Sequence, residues 1–288
     1  AKPWYYRMAA VQFMLGTLLN IYSIFYFKSS SLLSSFVFMI VLSGILLANE
    51  NHHVKKFGLW PKFVIYTLCL NAFFSMMLPV VLGFIGWIPF GLAVSLTTLV
   101  LFLLVRKIWR SGVDRNFTKR HIIAPTLGVE VVFVIFYVMG WIPPVPLSAK
   151  FMGIYHKIEK DSGKYLLYHQ RPWWKIWQNG DQTFYARPGD AIYFFSNIYS
   201  PARFSDQVNI RWTHKDPKLG WTPWDLIQMK ISGGREEGFR GFVSKTKYAP
   251  GEWRVQIETT SGHEIGRTYF EVIEDTSQEP RDFLIDEK

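Results

Sequence analysis

The chain has 288 residues, 49% of them hydrophobic, with 32 Lys and Arg against 22 Asp and Glu. The charge is uneven: residues 1–148 carry 12 basic and 3 acidic side chains, and the remainder 20 and 19. The basic excess therefore sits in the connections of an apolar half and not on a soluble face, which argues against a nucleic-acid partner, while the single cysteine, Cys69, rules out an intrachain disulfide or a Cys-based metal site.

A membrane span needs about 20 mainly apolar residues. Five segments meet that length: Met8–Phe27, Ser31–Ala48, Phe63–Gly83, Trp87–Val105 and Ile122–Trp141. The first lacks a signal-peptide cleavage site and is expected to be retained. "KSSS" after the first span and "GFIGWIP" after the third leave room only for tight hairpins. Trp60, Trp87 and Trp141 fall at span ends, where an amphipathic ring favours the headgroup level.

Within the spans, three polar residues are candidates for an intramembrane role. Glu130 and Asn71 are expected near mid-span and Asn20 off-centre. A carboxylate at that depth costs about 2.5 kcal/mol or more, so it marks either an ion relay or a buried hydrogen-bonding pair. The structural arrangement is expected, a protonated Glu130 donating to Asn71 or to a backbone carbonyl, because a single acid with no basic residue at its depth is too few groups for a transport path. Pro79 and Pro125 are expected to kink or break their spans. The adjacent His52 and His53 point about 100° apart on a helix and make a poor chelating pair.

Between the fourth and fifth spans, "RKIWRSGVDRNFTKRH" places Arg106, Lys107, Arg110, Arg115, Lys119 and Arg120 in sixteen positions. It reads as a topology anchor lying on anionic headgroups, each cation contributing about 1 kcal/mol near the surface. With five spans, the side bearing this stretch holds eleven Lys and Arg and the other side only Lys28. The basic side is therefore expected in the cytoplasm, and the C-terminal half in the periplasm of a bacterial inner-membrane protein.

"WIPPVP" (141–146) has the composition of a stiff polyproline spacer. Beyond it, runs of strand length near 150–158, 164–169, 183–186, 190–198, 206–213, 225–232, 239–247, 252–259 and 265–273 alternate with Gly, Pro and Asn turns. Clean alternation in "WRVQIE" turns Trp253, Val255 and Ile257 to one side. The expected fold is an α-helical membrane domain of five helices (1–141), a Pro-rich spacer (142–148), an all-β sandwich (149–274) and an acidic tail (275–288).

"YAPGEWRVQIETTSGHEIGRTYFEV" (248–272), preceded by "QVNIRWTHKD" (207–216), resembles the bacterial domain-of-unknown-function family 2914. The residues carrying the likeness are Gly251, Trp253, Arg254, Val255, Gly262, Phe270 and Val272. The resemblance implies a β domain of an envelope protein, often behind a multi-span membrane domain, and it brings no catalytic residues with it.

His156, His169, His214 and His263 are scattered among different segments, and no nucleophile or metal-ligand spacing stands out. No enzyme activity and no cofactor or metal are expected. "RPWWKIWQNG" and "GWTPWD" concentrate Trp173, Trp174, Trp177, Trp221 and Trp224 in expected loops, with Arg171 and Lys175 as rim charges. Loop aromatics beside cations suit a protein interface or a platform for envelope glycan, or else cap the core or rest on lipid. The leading expectation is an accessory or scaffold subunit of a membrane-protein complex. A glycan binder using the same platform and a small transporter centred on Glu130 are the alternatives.

Overall fold

The computed structural model describes residues 3–29, 35–50, 58–200, 205–232 and 238–288. His52 and His53 lie outside the described residues, as do Lys2, Lys55 and Lys56. The chain forms two compact units, Ala1–Pro146 with Ser261–His263, and Leu147–Thr260 with Glu264–Lys288.

The first unit is helical: α1 (Pro3–Ser29), α2 (Phe36–Glu50), α3 (Trp60–Leu82), α4 (Trp87–Arg110) and α5 (Arg115–Val138). Three of these, α3, α4 and α5, are long and apolar enough to cross a membrane among the described residues, where five spans were expected. The second segment is not among them because α2 has 15 residues among the described ones. At 1.5 Å per residue it reaches about 22 Å, against about 30 Å of hydrocarbon. The first segment forms a 27-residue helix, but its N-terminal side chains lie outside the described residues and it is not among the three.

Local sequence explains the helix ends. Pro61 opens α3, where a missing N–H costs nothing, and Gly83 closes it at φ 83°, its N–H donating to Pro79 O at 2.8 Å. Pro79 lies within the last turn of α3 and the helix continues past it. Before Pro125, residues Lys119–Ile123 widen into a single π-turn, so α5 absorbs the proline without breaking. Inside the unit, Leu19, Tyr26, Phe38, Cys69, Ala72 and Phe133 are buried together. Phe90 stacks on Tyr137 at 3.6 Å between ring centres. The outward faces remain apolar: Phe13, Ile88, Phe102 and Leu127 are all more than half exposed. Such a surface suits a hydrocarbon solvent and not water.

The proline segment is not an open rod. Ile142 and Val145 are buried in the helical core, and Val145 N–H donates to Pro143 O at 2.8 Å in a tight turn.

The second unit is a β-sheet domain with eleven described strands: β1 (Ser148–Tyr155), β2 (Lys157–Asp161), β3 (Lys164–His169), β4 (Thr183–Ala186), β5 (Ile192–Tyr199), β6 (Ser205–Asp216), β7 (Gly220–Ser232), β8 (Phe239–Lys245), β9 (Gly251–Thr259), β10 (Glu264–Glu274) and β11 (Leu284–Glu287). They form sheets in the orders β1-β5-β8, β4-β10-β9-β6-β7 and β11-β3-β2, antiparallel except for β4 beside β10. β5 reads as a continuous apolar run because it packs on both faces. Phe194 meets Trp212 of the five-stranded sheet at 6.3 Å, and Phe195 meets Tyr165 of β3 at 5.3 Å. In the five-stranded sheet Trp253, Val255 and Ile257 are fully buried, as the alternation requires, opposite His214, Trp212 and Ile210 in that order.

Three expectations are corrected here. The first expected strand breaks at His156 into β1 and β2. β7 begins at Gly220, so "GWTPWD" is strand and not loop. The acidic tail is not free: its last residues form β11, pairing Leu284 with His169 and Glu287 with Leu166.

Candidate functional site

Between β3 and β4 the chain makes a ten-residue excursion, Gln170–Asn179, that carries the tryptophan-rich motif. Two consecutive turns shape it: Lys175 N–H donates to Pro172 O at 3.0 Å and Gln178 N–H to Lys175 O at 3.1 Å. The Arg171 guanidinium reaches back and donates to Gln178 O, closing the neck. Gly180 then bridges to Ile154 of β1, so close that a Cβ would lie 2.3 Å from Ile154 O. Asp181 fixes the return, its N–H donating to Ile154 O and its Oδ1 accepting from Gln170 N–H, each at 2.8 Å.

The tip beyond this clamp is apolar and outward. Trp173 is 80% exposed, Ile176 83% and Trp177 69%. Trp174 sets edge-on to Trp177 at 5.9 Å, with Lys175 Nζ 5.3 Å from its ring centre. Trp173, Trp174, Lys175 and Trp177 are therefore gathered on one loop, with Arg171 as its clamp and not a rim charge. Trp221 and Trp224 stand elsewhere, on β7. The Arg254 guanidinium covers Trp221 at 4.9 Å, while Trp224 packs on Trp253 at 5.0 Å and on His214 at 5.5 Å. No contact joins this pair to the loop tryptophans among the described residues.

Under the clamp lies a polar cluster that sequence spacing does not reveal. His156 Nε2 is 3.6 Å from Asp181 Oδ2, both side chains at least 97% buried. His169 Nε2 is 3.4 Å from Asp286 Oδ2 of β11, and Arg171 lies 3.5 Å from the same oxygen. Burial pushes the Asp181 carboxyl up to about 7, partly offset by N–H groups of Gln170 and Arg171. Burial, with the Arg281 cation, holds the His156 imidazole down to about 4. Burial also lowers His169, against the pull of Asp286. Among the described residues no group of three or more His, Cys, Asp or Glu side chains is placed to hold a metal.

Two hollows flank this region. A groove of about 300 Å³ runs beside the loop, walled by Trp177, Gln178, Asn179, Gln182, Arg267 and the β1 segment 149–152. A wider cleft of about 690 Å³ lies by the β4–β5 turn, where Arg187 pairs with Asp275 at 2.6 Å and Arg281 holds Asp190 at 2.7 Å.

In the helical unit, Asn71 and Glu130 are both buried and α3 packs on α5. Asn71 Nδ2 donates to Thr67 O at 3.3 Å, and it lies beside Glu130. The structure thus brings the two side chains of the expected pair together. Asn20 faces outward on α1, away from that pair. The basic stretch is mostly helix and not loop. Only Ser111–Asp114 separates α4 from α5, and Asp114 caps α5 by accepting from Phe117 N–H at 2.7 Å. Arg106, Lys107, Arg110, Arg115, Lys119 and Arg120 are all exposed.

Residues 205–272 match the model of a family described as Protein of unknown function (DUF2914). The match spans β6 to β9 and most of β10, and the quoted motif does structural work there. Trp253 is fully buried and its indole N–H donates to Ala249 O at 2.8 Å. Gly251 takes φ 118°, where a Cβ would lie 3.1 Å from His214 Nε2. Phe270 and Val272 are core, and Gly262 turns the β9–β10 hairpin at φ 86°. The DUF2914 match leaves out the tryptophan loop and both helical and strand segments before it. No curated protein matches the chain. Solved structures similar to parts of it include an immunoglobulin-like protein from Pseudomonas aeruginosa (8% identity, 45% of this chain and 98% of that one, TM-score 0.28). A beta-glucosidase from Listeria innocua in complex with glucose is 11% identical over 32% of this chain and 15% of that one, TM-score 0.23. The alkylpurine DNA glycosylase AlkC from Pseudomonas fluorescens is 11% identical over 80% and 52%, TM-score 0.25. At such TM-scores none of them informs fold or function.

Proposed function

We propose that this is a non-enzymatic protein of the bacterial inner membrane, an accessory or scaffold subunit whose β unit binds a membrane-protein companion in the periplasm. The observation that carries the reading is the clamped loop. Trp173 and Ile176 stay about four-fifths exposed on a neck held by Arg171, Gly180 and Asp181. Large apolar side chains held rigidly in water lose little entropy on docking, and aromatic anchors of this kind dominate protein interfaces. The cationic helix ends around Ser111–Asp114 support a cytoplasmic location for that side. The polar groove beside Trp177 favours a second reading, a role in binding envelope glycan.

Native mass spectrometry of the protein extracted from its own membranes tests the leading reading. A stoichiometric companion is expected, lost when Trp173 and Ile176 are both changed to Ser while the β unit stays folded. A lone chain, or a companion kept by the double variant, sinks it.

A further inference from the structure

The groove beside the loop differs in chemistry from the loop's apolar tip. Trp177 supplies one wall, a ring 69% exposed and held in place by its edge contact with Trp174. The side chains of Gln178, Asn179 and Thr268 line the groove and make no hydrogen bond among the described residues. Gln182 makes only a long contact, Nε2 to Asn179 O at 3.5 Å. Side-chain amides and a hydroxyl each offer both a donor and an acceptor, the complement of a ligand rich in hydroxyl groups.

The cations at the groove are already engaged. Arg267 is bound to Glu264 through two nitrogens, with Nε to Oε1 at 2.6 Å, and Lys150 Nζ sits 5.3 Å over the Tyr199 ring. A phosphate or carboxylate would have to compete with those partners, whereas an uncharged ligand would not. At about 300 Å³ the groove is at the small end of ligand sites, which run from about 300 to 1,000 Å³.

We propose that this groove binds one ring of an uncharged saccharide, its C–H face on the Trp177 indole and its hydroxyl rim on Gln178, Asn179, Gln182 and Thr268. An indole plane receives an apolar ring face without demanding a fixed rotation, and the amides set the orientation. The neck of the loop fixes both together, because Gln178 O is the group Arg171 holds and Gly180 is pressed against Ile154. The proposal rests on the glycan reading of this groove and stands apart from the companion-binding reading, which uses Trp173 and Ile176.

The test is saturation-transfer NMR on the full chain in nanodiscs, with maltotriose, cellotriose and tri-N-acetylchitotriose as probes. Saturable transfer from at least one is expected, weakened about tenfold or more in Trp177→Ala, partly restored in Trp177→Phe and unchanged in Trp173→Ala. Trp177 is mostly exposed, so its replacement leaves the core intact. Absence of saturable transfer from all of them overturns the proposal, as does binding indifferent to Trp177→Ala. Equal loss in Trp173→Ala also overturns it, because the tip and not the groove would then hold the sugar. Companion capture by Trp177→Ala with sugar binding lost separates the two readings.

Discussion

The opposite displacements of Asp181 and His156 set a measurable pH signature. Asp181 is held up to about 7, so the folded chain keeps a proton there that the unfolded chain releases above about 4. That contribution favours the fold at low pH and is lost as the pH rises through 7. His156 is held down to about 4, so below about 6.5 the unfolded chain takes up a proton the fold refuses. That contribution favours the fold at high pH and is lost as the pH falls through 4. Between about 4 and 6.5 the two slopes oppose each other, and the parent hides both. Arg281, Asp190, Arg171, Asp286 and His169 surround the pair and stay in place when one member is changed. Relative to the parent, His156→Gln is expected to lose stability as the pH rises across that window, on the order of 3 kcal/mol. Asp181→Asn is expected to gain stability relative to the parent over the same range. Denaturation midpoints against pH for the three proteins check this; variants parallel to the parent would mean that folding displaces neither titration. None of the pair was legible in the sequence. His156 and Asp181 are far apart in the chain, and only the pairing of β1 with the Gly180 return brings them together. The placement of Trp173, Trp174 and Trp177 in a loop is legible, because turn residues surround them, but the sequence leaves open whether they cap the core or stand exposed.

At the level of elements, the loop is rigid only if its neck is. Gly180 adopts φ 62° and meets Ile154 backbone on the side where a Cβ would point. Gly180→Ala adds left-handed strain and a clash with backbone that cannot rotate away. The expected cost is about 2 kcal/mol or more in local stability, read as faster hydrogen exchange at Asp181 N–H, which now donates to Ile154 O at 2.8 Å. An unchanged exchange rate would show that Arg171 and Asp181 hold the neck without the bridge. The elements the sequence misplaced share a physical cause. β7 starts ahead of the expected 225–232 run, and the long β6–β7 ribbon accommodates Pro223 with a register shift near Thr213. β11 was hidden by Asp286 and Glu287, charges that an edge strand tolerates and that here serve His169 and Lys164. The apolar run from Ser31 suggests a full second span, whereas among the described residues α2 runs from Phe36 to Glu50.

For the whole molecule, the consequential claim is which side of the membrane each unit occupies. The membrane-length helices α3, α4 and α5 run consecutively, so the Ser111–Asp114 turn and the chain after Val138 lie at opposite ends of α5. The exposed cations Arg106, Lys107, Arg110, Arg115, Lys119 and Arg120 all gather around that turn, and each would cost roughly 1 kcal/mol of headgroup attraction to move off an anionic leaflet. This asymmetry does not depend on whether α1 or α2 crosses the bilayer, which is why it survives the reduction from five spans to three. On the proposed topology the turn lies in the cytoplasm and the β unit in the periplasm. Cys69 is buried, and in a Cys69→Ala background single cysteines report each side cleanly. Lys164→Cys, on the exposed β2–β3 hairpin, is expected to react with an impermeant thiol reagent on intact spheroplasts. Ser111→Cys is expected to react only after lysis. The reverse pattern would put the Trp173–Trp177 loop in the cytoplasm and remove envelope glycan from the ligands its groove can meet, whereas the expected pattern sets that groove where such sugars are made accessible.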